Sequence, residues 1–154
     1  MFIVKLSIGV LCVILCLLVA KNRANYIKDK YYYFSSLVNS CELIKSDLIY
    51  KKRSIKEILS VDFQSLDFNQ TIKSYFNSDE FFPKYLNIEE KVLVKDYFKA
   101  LGKGDTNSQL SIISSFKEEF LKIASDSKRE FDKSYKVTIK VGFSIGIMLF
   151  VLVI

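Results

Sequence analysis

Two apolar runs, Phe2–Ala20 and Val141–Ile154, bracket a polar, lysine-rich stretch that holds no further segment able to cross a bilayer. A spanning helix needs about 20 apolar residues to cross about 30 Å of hydrocarbon. The first run, with Lys5 near its outer edge, supplies about 19 and is expected to span as an uncleaved anchor: its charged start is a single lysine, and Leu18-Val19-Ala20-Lys21 offers no clean small-x-small cleavage site. The second supplies about 14, or about 18 counted back to Val137 if Lys140 snorkels its ammonium to the headgroups. The alternative for the second is a hydrophobic helix packed into the core, but Ile145–Ile154 has no polar face to turn outward. The chain is therefore expected to divide into a first transmembrane helix at 1–20, a helical domain at 21–139 and a second transmembrane helix at 140–154.

Charge sets the expected orientation. Lys21, Arg23, Lys28 and Lys30 follow the first run, and Lys128, Arg129, Lys133, Lys136 and Lys140 lie before the second. The outer ends offer only Lys5 and the terminal amine, so the positive-inside rule puts the central domain in the cytoplasm. The formal net charge of +6 suits an anionic membrane surface or an acidic partner. Nucleic acid is the weaker reading, because the basic residues are interleaved with Asp and Glu. Lys51-Lys52-Arg53 and Lys128-Arg129 are either basic faces toward such partners or ordinary solvated positions.

The middle of the chain reads as all-α. Phe34, Leu37, Val38, Cys41, Ile44 and Leu48 recur at the three-and-four spacing of one helix face, so the first run is expected to continue into a helix through Asn22–Tyr50. Ser54-Ile-Lys-Glu57 and Asn87-Ile-Glu-Glu90 each place a capping side chain three residues before a glutamate, which should start helices at both places. Val94, Tyr97, Phe98 and Leu101 form the stripe of the second. A helix is expected around Asn69–Phe76, and Pro83 forbids a continuous one after it. Gly102 can end a helix in the left-handed conformation, and Asp105 or Thr106 can cap the next. That last helix carries Ile113, Phe116, Phe120, Ile123, Ala124, Phe131 and Tyr135 on one side and should run unbroken into the C-terminal run. The expected fold is a small helical bundle whose first and last helices are also its membrane stalks.

Nothing in the residues points to catalysis, metal or cofactor. There is no histidine, the usual general base and metal ligand. Glu89/Glu90 and Glu118/Glu119 read as solvated helix faces, Asp47 and Asp62 as lone acids, and Gly102-x-Gly104 lacks the strand and Gly-Lys-Ser/Thr of a phosphate loop. Three scattered cysteines make no zinc spacing, and Cys41 reads as a small core residue. Tyr31-Tyr-Tyr-Phe34 points all round a helix, so some of its rings should be core and the rest should face membrane or partner. Gly142-Phe-Ser-Ile-Gly146 is a GxxxG pattern, and Gly9, Cys12, Cys16 and Ala20 form a small-residue stripe on the first run. Both let helices approach closely in lipid and point to packing of the spans on each other or on further copies, hence to an oligomer.

The stretch Leu101-Gly102-Lys-Gly-Asp105-Thr-Asn-Ser-Gln109 resembles the Leu-Gly-x-x-Asp-x-x-x-Gln turn of the stage III sporulation protein AB family. Gly142 and Gly146 echo the family's final Gly-x-x-x-Gly, and Asp47-Leu-Ile-Tyr50 is similar to its acidic-x-x-Tyr segment, with Ser54 where proline is usual. The resemblance implies a place in the apparatus that links mother cell and forespore. It also implies similarity to the platform protein of type II secretion and type IV pilus systems, whose helical cytoplasmic domain adjoins a secretion-type ATPase and whose spans contact other membrane components. Gly102, Asp105 and Gln109 are candidates for a partner-docking turn, the plainer reading being that they only stop one helix and cap the next. A rival expectation is a holin-like or membrane-remodelling protein acting without an ATPase. Such a pore former should carry a polar stripe on its spans, which here hold little beyond Lys5, Ser7, the cysteines and Ser144.

Overall fold

The computed structural model describes the backbone of residues 2–50, 53–79 and 81–153; within the helices, the side chains of 2–10, 12, 13, 16, 17, 20, 134–136, 138, 139, 142, 146 and 149–153 lie outside the description. Five helices follow one another: α1 (Phe2–Tyr50), α2 (Ile55–Ile58), α3 (Leu66–Phe76), α4 (Ile88–Ala100) and α5 (Thr106–Val153). Among the described residues there is no strand. The chain forms two compact units, one of Asp29–Asp126 and one of Met1–Lys28 with Ser127–Ile154.

The helix starts follow from local hydrogen bonding. Ser54 Oγ accepts from the Glu57 amide and Glu57 Oε2 accepts from the Ser54 amide, both at 3.3 Å, closing a reciprocal capping box at α2. At α4, Asn87 Oδ1 accepts from the Glu90 amide at 2.7 Å and Glu90 Oε2 from the Asn87 amide at 3.0 Å. The third helix begins earlier than the expected Asn69, at Leu66. Ser65 Oγ caps the Phe68 amide at 3.2 Å without any glutamate to advertise the motif.

The bundle unit is organised around aromatic rings. Tyr33, Phe34, Phe68, Tyr97 and Phe120 are fully buried, joined by Leu37, Cys41 and Ile44 of α1, Ile58 of α2 and Val94 of α4. Phe120 meets Tyr97 edge-on at 5.3 Å and Phe34 at 6.0 Å, so α1, α4 and α5 share one seam. Burying each large apolar side chain stabilises the fold by about 1.5–3 kcal/mol. The Tyr31–Phe34 run divides as its geometry requires, with Tyr33 and Phe34 inside and Tyr31 and Tyr32 half-buried.

Several polar groups inside this unit are partnered. Ser40 Oγ donates to Leu37 O at 2.7 Å and lies 2.9 Å from Tyr97 Oη. Tyr33 Oη donates to Thr71 Oγ1 at 3.1 Å, and Tyr85 Oη to Asp67 Oδ2 at 2.6 Å. Burial pushes all three phenols well above their ordinary pKa, so they stay donors throughout the physiological range.

Two expectations about acids are corrected. Glu90 is buried rather than solvated: besides closing its cap it stands 2.5 Å from Lys30 Nζ, tying the start of α4 to α1. Asp47 is buried too and has a partner, with Arg53 Nη2 2.6 Å from its Oδ2. That contact lacks hydrogen-bond alignment, so the oxygen is held by charge alone. Arg53 thus belongs to an internal ion pair, while Lys51 and Lys52 lie outside the described residues.

In the second unit, large apolar side chains face outward. Leu11, Ile14, Leu15, Leu18 and Val19 on α1, and Val137, Val141, Phe143, Ile145, Ile147 and Met148 on α5, are all exposed. Among the described residues no helix is long and apolar enough to cross a membrane. The side chains of Gly9, Cys12, Cys16, Ala20, Gly142 and Gly146, the candidates for packing in lipid, lie outside the described residues.

Candidate functional site: the turn between α4 and α5

The turn is shaped by two left-handed glycines. α4 ends at Ala100, Leu101 swings to extended backbone with ψ 132°, and Gly102 follows with φ +80°. Gly104 repeats the left-handed conformation at φ +89°. Side chains rarely tolerate this region, so this pair of reversals in three residues demands glycine at both positions. A Cβ on Gly102 would also come to 3.4 Å from Ile55 Cδ1, which places α2 against the turn.

Asp105 caps α5 from outside. Its Oδ1 accepts from the Ser108 hydroxyl and its Oδ2 from the Asn107 amide at 3.2 Å, while its carbonyl accepts the first helical bond, from Gln109 N at 3.0 Å. The Ser108 hydroxyl holds the Asp105 carboxyl below its ordinary pKa against desolvation, the next largest influence, with the Ser108, Asn107 and Asp105 amides helping. The charge is therefore fixed, and it is open to solvent.

Gln109 works from inside. Its side chain is buried, and its Nε2 donates to Lys103 O at 2.9 Å, bracing the loop across its mouth. The three residues singled out from sequence thus come together in one turn but divide by role. Gly102 bends it, Asp105 stands on its surface, and Gln109 braces it from beneath and presents nothing outward. Residues 102–108 are all exposed, so Lys103, Asp105, Thr106 and Asn107 form the outer surface. Sequence reasoning passed over Lys103, whose carbonyl is the anchor point; a lysine between two glycines carries no signal of such a role.

Two further features bear on the site. Lys117 Nζ, further along α5, pairs with Glu42 Oε1 at 2.8 Å, which raises the lysine pKa and links α5 to α1. Among the described residues no group of three or more His, Cys, Asp or Glu stands close enough to hold a metal ion.

Fold and turn together define a small all-α bundle protein whose long first and last helices also carry exposed apolar surface. A family model described as stage III sporulation protein AB matches residues 64–154, and the chain belongs to that family. The match takes in the whole 101–109 turn and α5, whereas the Asp47–Tyr50 segment lies ahead of it. No curated protein and no solved structure matches the chain.

Proposed function

We propose that this chain is a non-enzymatic platform in the membrane of the mother cell around the forespore, coupling a cytoplasmic secretion-type ATPase to a secretion-like channel. The observation that carries this reading is the concentration of exposed large apolar side chains on the terminal parts of α1 and α5. Apolar patches of that kind mark surfaces meant for lipid or for other proteins. Transmembrane helices at 1–20 and 140–154, with packing through Gly9, Cys12, Cys16, Gly142 and Gly146, account for them. The lysines beside both runs favour a cytoplasmic bundle. Membership of a stage III sporulation family supports the setting.

In this reading the 102–108 surface is the contact for the motor. Asp105 offers a fixed negative charge beside Lys103, on a loop whose shape Gly102 and Gln109 impose. The test is co-purification of the detergent-solubilised chain with the secretion-type ATPase of the same cells. Recovery of the ATPase with wild type and its loss with Asp105→Ala, the domain remaining folded, is the expected result. Failure to recover any ATPase under conditions that preserve the complex would remove the reading. Topology needs an added reporter, because the buried Cys41 thiol makes a poor one. Lys103→Cys in a chain lacking the native cysteines should resist thiol reagents applied outside intact cells.

A further inference from the structure

One face of α1 changes its chemistry within a single turn. Leu11, Ile14, Leu15 and Leu18 are exposed and recur at the three-and-four spacing that stacks side chains on one side of a helix. The same spacing carries the stripe on to Lys21, Asn22 and Asn25, which are exposed as well. Aliphatic surface thus gives way to an ammonium and two carboxamides along one line, within about 4.5 Å of helix axis from Leu18 to Lys21. A cleft of about 340 Å³ lies at that changeover, with Leu18, Val19, Lys21, Asn22 and Asn25 in its wall.

Acids are scarce in this part of the chain. The sequence of the unit made by Met1–Lys28 and Ser127–Ile154 contains no acid besides Glu130 and Asp132, both on α5, and its lysines and arginines far outnumber them. Along α1 the first acid is Asp29, about 12 Å of helix axis beyond Lys21. Arg23 stands two residues from Lys21 and so projects from the opposite side of the helix. The groups at the cleft are versatile: the Lys21 ammonium brings three donors and a full charge, and each asparagine brings two donors and a carbonyl acceptor.

We infer that this cleft holds the headgroup of an anionic phospholipid of the phosphatidylglycerol class. Its phosphate lies against the Lys21 ammonium, its hydroxyls meet the Asn22 and Asn25 carboxamides, and an acyl chain follows the aliphatic stripe toward Leu11. The order of surfaces along the helix selects this occupant, because a ligand must offer chain, negative charge and hydrogen-bonding groups in that sequence. A choline headgroup fits less well, since it brings its own cation and no donor for the asparagine carbonyls. A second copy docked side by side in parallel would set one Lys21 against another, and like charges in contact are unfavourable. The inference rests on the proposed placement of residues 1–20 in a membrane, which puts Lys21 at the depth of the lipid phosphates on the anionic cytoplasmic leaflet. It does not depend on the ATPase.

The test strips lipid from the full chain in a neutral detergent, adds back phosphatidylglycerol or phosphatidylcholine, and follows the retained lipid by native mass spectrometry. Wild type should hold phosphatidylglycerol at least fivefold more tightly than phosphatidylcholine. Lys21→Ala should lose that preference, and Asn22→Leu/Asn25→Leu, which keeps the volume and removes the amides, should weaken it. Arg23→Ala removes the same charge from the other side of the helix and should bind as wild type does. Equal retention of the two lipids, an unchanged preference in Lys21→Ala, or an equal loss in Arg23→Ala would overturn the inference. So would displacement of the lipid by glycerol phosphate, which assigns the cleft to a small anion, or a wild-type dimer broken by Asn22→Leu/Asn25→Leu, which gives the face to a second copy. Flotation with vesicles and resistance to alkaline carbonate separate the two readings. A chain that fails both loses the membrane and this site with it, whereas one that passes both but shows no lipid preference loses the site alone.

Discussion

Tyr75 closes the end of a helix to which it does not belong: its hydroxyl donates to the Phe98 carbonyl at 3.0 Å while its ring stacks on that of Phe98 at 4.7 Å. Phe98 lies in the last turn of α4, where carbonyls lack intrahelical donors. The left-handed Gly102 turns the chain away, and Lys103 N goes to Ala100 O instead. A side chain from α3 therefore supplies what the turn withholds.

Tyr75→Phe keeps the stacked ring and removes only that donor. A hydrogen bond of this kind contributes about 1 kcal/mol, and somewhat more when its partner is left unmet. The bundle should melt about 4–8 °C lower, a shift typical of a loss of about 1 kcal/mol in a domain of 60–100 residues. Calorimetry of the two chains in the same detergent checks it.

Ser78 follows α3 at φ +61°, so Ser78→Gly should stabilise the protein. A left-handed non-glycine residue costs about 1–2 kcal/mol, whereas glycine gives back about 0.5–1 kcal/mol through its greater freedom in the unfolded chain. The first effect is larger, so a net gain of about 0.5–1 kcal/mol is expected, read as a higher urea midpoint at unchanged slope.

Asp105→Ala should cost stability in a way that depends on pH. The folded-state pKa of Asp105 lies below its ordinary value, so the folded chain binds this proton less readily than the unfolded one. The stabilisation is complete above the ordinary carboxylate range and disappears as pH falls through the lowered folded value. Melting curves should separate wild type from variant at neutral pH and converge on acidification; a constant gap would show that the carboxylate charge is not what caps α5.

Cys41 should be silent toward thiol reagents in the folded protein. It is fully buried, and burial pushes its pKa up to about 11, against weaker lowering by hydrogen bonds to Tyr97 and Ser40. In a Cys12→Ser/Cys16→Ser chain, labelling by an aromatic disulfide reagent at pH 8 should await unfolding in denaturant. Because the folded value is raised, the thiol's contribution to stability is full below its ordinary value and is lost as pH climbs toward about 11.

What could be read from the residues was whatever is decided within one helical turn. The capping boxes at Ser54/Glu57 and Asn87/Glu90 form as their spacing dictates, because both partners lie three residues apart. Gly102 reverses the chain where its sequence neighbours end a stripe. The inward face from Phe34 to Ile44 likewise follows from period alone. Ser65 escaped notice because it caps without a glutamate, so α3 starts before the expected Asn69.

Longer separations hid the rest. Lys30 meets Glu90, Arg53 meets Asp47 and Tyr75 meets Phe98 only after the helices have packed. In sequence Glu90 and Arg53 look like ordinary surface and Asp47 like a lone acid, and nothing joins Tyr75 to Phe98, which stands on the apolar stripe of its own helix. Gln109 shows the same limit within the candidate site: a polar residue near a helix start looks outward-facing, and only the position of the Lys103 carbonyl draws it inside.

The brace from Gln109 to Lys103 has a thermodynamic corollary. A loop already fixed in shape surrenders little conformational entropy on association, so whatever docks on it gains affinity without an ordering penalty. On the docking reading proposed above, Gln109→Ala would slow or weaken capture while leaving every solvent-facing atom of the turn chemically intact, as a preorganised surface requires.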